Sequence, residues 1–139
     1  MSPSRHADDP GRLLRATLAT NAVVSGLCGA GLVAAGSPLH GVLGLPGPAP
    51  LIVFGALLLV FAAQVWRARR EPVDRRQAQA ILVMDVAYVV ATAVFLLVWP
   101  QVLSPLGRWL AIAVAEVVAL FALGEYVGIR RLARSTAAA

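Results

Sequence analysis

The sequence predicts an all-α protein, a four-transmembrane-helix bundle in antiparallel up-down order with both termini cytoplasmic, and three observations carry that prediction. Of 139 residues, 59% are hydrophobic and only 14% charged, with a mean hydropathy of +0.77, whereas a soluble domain keeps about a quarter of its residues charged. The apolar residues fall in four runs, each near the ~20 residues that a ~30 Å hydrocarbon layer requires. The arginines gather at alternate ends of those runs. This composition excludes a soluble enzyme, a disordered tail and a disulfide scaffold. Backbone polar groups in lipid find no water, so each run is expected to be a helix, and no period-2 alternation suggests a barrel. The length suits one transmembrane domain over 13–129, between an N-terminal tail over 1–12 and a C-terminal tail over 130–139.

The first span, 13–35, carries Arg15, Thr17, Thr20, Asn21 and Ser25 as its strongly polar interruptions. Its charged start and the Val33-Ala34-Ala35 triplet resemble a cleavable signal, but signal cores run ~7 to 15 apolar residues and this stretch is about twice that, so an uncleaved span is expected. The sequence GSPLHGVLGLPGPAP, from Gly36 to Pro50, reads as a loop because it holds four glycines and four prolines. The second span, 49–66, follows Pro46, Pro48 and Pro50, and proline is tolerated in a first helical turn, where its missing N–H has no partner to lose. The third span, 78–99, stops at Pro100, and the fourth, 105–129, opens behind Ser104, a natural N-cap ahead of Pro105. No internal repeat relates the halves.

All twelve basic residues are arginine, and eleven fall on one predicted side: Arg5, Arg12 and Arg15, then the middle connection with Arg67, Arg69, Arg70, Arg75 and Arg76, then Arg130, Arg131 and Arg134. Arg108 alone lies on the other. The positive-inside rule places the larger group in the cytoplasm. Trp66 and Tyr126 then fall at the inner edge and Trp99 and Trp109 at the outer, where amphipathic rings prefer headgroup depth. Such arginines are topogenic and suit anionic lipids, so the net charge of +5 does not point to nucleic acid. Membrane lipids are the expected partners, with a homo-oligomer or a partner membrane protein as further candidates.

Small residues recur every fourth position, as Ala22, Gly26, Ala30 and Ala34 in the first span and as Gly107, Ala111, Ala115 and Ala119 in the fourth. They let helices approach closely, either within the bundle or between copies. Cys28 is alone, so no disulfide relay is available within one chain, and a small packing role is expected.

Asp85, Glu116 and Glu125 lie inside spans, where an uncompensated carboxylate costs at least ~2.5 kcal/mol and needs a partner or a neutral form. At ~1.5 Å per residue, Asp85 and Asn21 both fall roughly 10 to 12 Å from the inner edge, where they can meet. Glu125 and Gln64 lie closer to the same edge, so all four helices contribute a polar side chain to the inner half. The set Asp85, Tyr88, Thr92, Phe95 and Trp99 follows helical spacing along one stripe, which lets Tyr88 bond Asp85. Asn21, Gln64, Asp85, Tyr88 and Glu125 thus form a candidate intramembrane polar site. Glu116, nine residues before Glu125 and so about 180° around the helix, is expected to be a separate buried carboxyl. For Glu125 the plainer alternative is contact with the interface or an arginine; for Asp85 it is a structural hydrogen bond to Asn21 or Tyr88.

His6 lies in the first tail and His40 in the first loop, so no imidazole is expected in the membrane, and no metal site or other cofactor is expected. No nucleophile triad, phosphate-binding glycine loop or HExxH motif is present, and no catalytic residue is assigned.

An arginine-led start, LGLPG at 43–47, the arginine-rich middle connection and EYVGIRR at 125–131 resemble the layout of small bacterial four-span integral membrane proteins. More loosely, they resemble that of DoxX-like four-helix proteins. The resemblance covers nearly the whole chain and implies a fold and a bacterial inner membrane. Small multidrug transporters share the span number, but they carry a key Glu in the first span, where this chain has Asn21. The expected function is a non-enzymatic accessory, assembly or self-associating subunit. The alternative is a small proton- or cation-coupled transporter using Asp85 and Glu116, and the third is a lipid-modifying enzyme.

Overall fold

A computed structural model describes residues 11–70 and 72–137; Arg5 and His6 lie outside the described residues. Four helices follow one another: α1 (Arg12–Leu43), α2 (Ala49–Ala68), α3 (Arg75–Val98) and α4 (Pro105–Ala137). Each is long and apolar enough to cross a membrane. The bundle turns its large apolar side chains outward: Leu97 is 81% exposed, Leu27 and Trp109 71% each. In water such a surface would drive aggregation, whereas in lipid it is the solvated face.

Two helices run well past the predicted spans. α1 continues through Gly36 and Pro38 to Leu43, so Gly36–Leu43 is helix and not loop. Gly36 is buried, with the Ile52 side chain where a Cβ would sit. Packing against the start of α2 therefore outweighs the weak helix propensity of glycine and the hydrogen bond that Pro38 cannot make. The helix ends at Gly44, the one described residue with positive φ, at 83°. There Gly44 N–H donates to Gly41 O and Leu45 N–H to His40 O, a Schellman closure. His40 is accordingly in the last turn of α1, its Nδ1 3.2 Å from Leu45 O, and not in a loop. α4 likewise runs on as helix beyond Ile129.

α3 starts at Arg75, three residues before the predicted span, because Asp74 caps it by accepting from Arg76 N–H at 2.8 Å. Ser104 caps α4 as expected, accepting from Gly107 N–H at 3.0 Å. The same residue ties α4 to α1: its hydroxyl donates to Val42 O and its N–H to Leu43 O. Those carbonyls would otherwise be orphaned at a helix C-terminus.

Antiparallel pairing is visible in close approaches. Gly29 faces Gly55 across α1 and α2, and a Cβ on either would lie 2.7 Å from the other's carbonyl oxygen. Gly124 and Gly128 of α4 lie against Thr17 and Leu14 of α1. α1 packs on α2 and α4, α4 packs on α3, and α2 barely touches α3. The core of Leu14, Leu18, Ala22, Val65, Ala68, Ala78, Ile81 and Ile129 sits at the end that holds the α2–α3 connection.

The four-residue stripes of small residues do not remain at these interfaces. Ala22 is buried and Gly26 lies against Ala62, but Ala30 and Ala34 are exposed; Ala111 and Ala115 are half-buried and Ala119 is exposed. Four residues advance a helix by about 400°, so a strict four-residue stripe drifts about 40° per step away from a facing helix. The inward line on α4 alternates steps of four and three, from half-buried Val118 through buried Ala122, Glu125 and Ile129, as a packed seam requires.

A candidate intramembrane polar site

α1, α3 and α4 each bring one buried polar side chain to a common point. Asn21 Nδ2 donates to Asp85 Oδ2 at 2.7 Å and to Glu125 Oε1 at 3.0 Å, spending both amide hydrogens on two carboxyls. Its Oδ1 accepts from Ser25 Oγ, one turn along, at 3.0 Å. Asn21 is 1% exposed, Asp85 4% and Glu125 0%. Glu125 Oε2 is buried with no hydrogen-bond partner. Two acids thus meet around one amide, with no arginine in the network.

Helical register explains why these three meet. Leu14, Leu18, Asn21 and Ser25 share the buried face of α1, Ala78, Ile81 and Asp85 that of α3, and Ala122, Glu125 and Ile129 that of α4. Each polar residue therefore replaces an apolar one in an inward-facing line. Glu125 neither reaches the interface nor joins an arginine: Arg130 instead donates to the Tyr126 hydroxyl at 3.2 Å.

Beside the network lies a half-open cavity of about 590 Å³, between α2 on one side and α3 and α4 on the other, with α1 behind. Asp85 and Ser25 reach its wall from the network, and Gln64 and Tyr88 line it as well. Most of the remaining wall is aliphatic or aromatic, including Phe54, Phe61 and Phe121.

The structure joins Asn21 and Asp85, expected at one depth, brings Glu125, expected closer to the inner edge, to the same amide, and places Gln64 and Tyr88 on the adjoining wall. The Tyr88 ring stacks on Phe54, with centroids 6.0 Å apart, and the partner of Asp85 is Asn21. Glu116 is separate from the site, as expected, but it is exposed on the outer surface of α4 and not buried. With Glu125 on the inward face, a residue half a turn away points outward. Cys28 is an exposed residue on the cavity wall and not a packing residue. Sequence reasoning missed Ser25 as a site residue and the cavity itself; Ser25, one turn from Asn21, carried a readable signal.

Among the described residues, no group of three or more His, Cys, Asp or Glu is placed to hold a metal ion. The amide nitrogen of Asn21 occupies the space between the carboxyls, a position suited to sharing hydrogens. No family model, curated protein or solved structure matches the chain.

Proposed function

We propose that the protein is a non-enzymatic, proton-exchanging carrier of the bacterial inner membrane, with both termini in the cytoplasm and Asp85 as the exchanging group. One observation carries this reading: Asp85 belongs at once to the cavity wall and to a buried network with a second acid, Glu125. A carboxyl kept only for structure has no need of a cavity. Here a proton can pass between the cavity and a pair of acids whose repulsion favours sharing one proton between them. The titratable groups near Asp85 are Glu125 from α4, Tyr88 on its own helix and Cys28 from α1, while α2 presents the neutral Gln64. None is a fixed cation, so changes in the pair's charge are left to protons or to a ligand.

Infrared difference spectra of the purified protein, recorded on stepping pH through the neutral range, test this. A protonated-carboxyl band that titrates and disappears in Asp85→Asn is expected. A carboxyl spectrum that does not respond to pH would end the carrier reading.

A second reading, an accessory or self-associating subunit, is favoured by Glu116, a carboxyl on the outer face of a membrane-length helix. Lipid cannot satisfy that group, whereas a neighbouring chain can. Native mass spectrometry of the protein drawn from its own membrane separates the two readings. Co-purifying foreign chains, lost in Glu116→Leu, would support the accessory role.

A further inference from the structure

The cavity's wall defines what it can accept. Among the described residues lining it, Asp85 is the only one with a formal charge, and no arginine or histidine accompanies it. The nearby polar groups, the Ser25 hydroxyl, the Tyr88 phenol and the Gln64 amide, all offer acceptor oxygens. An anionic head would meet Asp85, with Glu125 behind it, and find no compensating charge. The stacked Phe54 and Tyr88 rings add π-faces, which attract cations. The volume of about 590 Å³ lies within the ~300–1,000 Å³ typical of small-molecule sites.

We infer that this cavity binds a hydrophobic organic cation, an apolar body bearing a quaternary or protonated centre, which enters sideways from the lipid between α2 and α3. Leu57 of α2 and Met84 of α3 line the cavity and are 62% and 50% exposed, so its mouth on that side is apolar. The inference rests on the carrier reading and names its substrate class. As the cation arrives beside Asp85, one proton leaves the Asp85–Glu125 pair for water. A positive charge beside a carboxyl pair favours its ionised form, so the cation displaces the shared proton and the site's total charge is the same before and after.

The test uses two probes of nearly equal shape and opposite charge, tetraphenylphosphonium and tetraphenylborate, with the full-length protein in mild detergent. Equilibrium dialysis should show saturable phosphonium binding, with the borate about tenfold weaker or worse. Weakly buffered solution should gain about one proton per phosphonium bound. Asp85→Asn should weaken phosphonium binding by about tenfold or more. Because that change also alters the buried network, Val114→Trp provides an independent check: Val114 lines the cavity from α4, eleven residues before Glu125, and the larger ring takes up part of the space. It should weaken phosphonium binding while leaving the titrating carboxyl band in place. Equal or preferred binding of the borate, or undiminished phosphonium binding in Val114→Trp, would overturn the inference. Saturable binding of neither probe would overturn it too, with the infrared titration still deciding the carrier reading separately. Phosphonium binding without proton release would uphold the cation site and overturn proton exchange.

Discussion

Asn21 shows how one side chain can organise a membrane interior. Its amide holds acids from two other helices and its carbonyl accepts from Ser25, so its hydrogen-bonding groups are all used, on α4, beside which α1 packs, and on α3, to which α1 makes no close backbone approach. Asn21→Leu keeps the branched outline of the side chain and removes the amide, leaving two buried carboxyls beside an apolar wall. The expected loss is about 2–4 kcal/mol of stability, read as a lower thermal midpoint in detergent; an unchanged midpoint would remove Asn21 from this role. The meeting of Asn21 and Asp85 was legible in the sequence because polar groups at matching depth in apolar runs are costly and must find one another, whereas Glu125, expected closer to the inner edge, joins them by its inward facing on α4. The outward turn of Glu116 was not, since depth along a helix is readable from residue number whereas its absolute facing depends on which neighbours it packs against. Tyr88 illustrates the same limit: the three-residue spacing permitted a bond to Asp85, and its ring lies instead against Phe54.

At the scale of the helix, small residues matter where backbones cross. Gly29 and Gly55 are in mutual contact, whereas a Cβ on Gly31 would meet nothing within 4 Å. Gly29→Ala should therefore destabilise the α1–α2 pair by about 1–3 kcal/mol through overpacking. Gly31→Ala should be neutral or slightly stabilising, since alanine is the better helix former. Thermal midpoints of the two variants in the same detergent check the contrast, and equal effects would contradict it. The four helices and the Ser104 cap could be read directly from hydropathy and capping chemistry. The extension of α1 through GSPLHGVL could not, because glycine and proline register local preference while the decisive contact, Gly36 with Ile52, is tertiary.

At the scale of the molecule, two arginines at one end lie over aromatic rings. The Arg69 guanidinium lies 3.5 Å over the Trp66 ring at the end of α2, and Arg130 lies 5.5 Å from that of Tyr126 on α4. Such pairs suit a headgroup layer. If this end faces the cytoplasm, as proposed, a Cys28→Ser protein carrying Ser135→Cys should resist a membrane-impermeant maleimide in intact cells. One carrying Gln101→Cys should react. The reverse pattern would invert the topology.

The seam between α1 and α4 is fastened twice, by Asn21 with Glu125 near one end and by Ser104 with Val42 and Leu43 near the other. Its partners lie far apart in sequence, since Asn21 and Glu125 are 104 residues distant. A ribosome delivering the chain in order thus releases α1 long before α4 exists. The α3–α4 hairpin then enters lipid with two acids whose only amide donor waits on the first helix. Completion of the chain and satisfaction of its acids therefore become one event. A molecule truncated or misinserted before that point exposes unpaired carboxyls to the bilayer, a defect that membrane quality-control proteases are suited to detect.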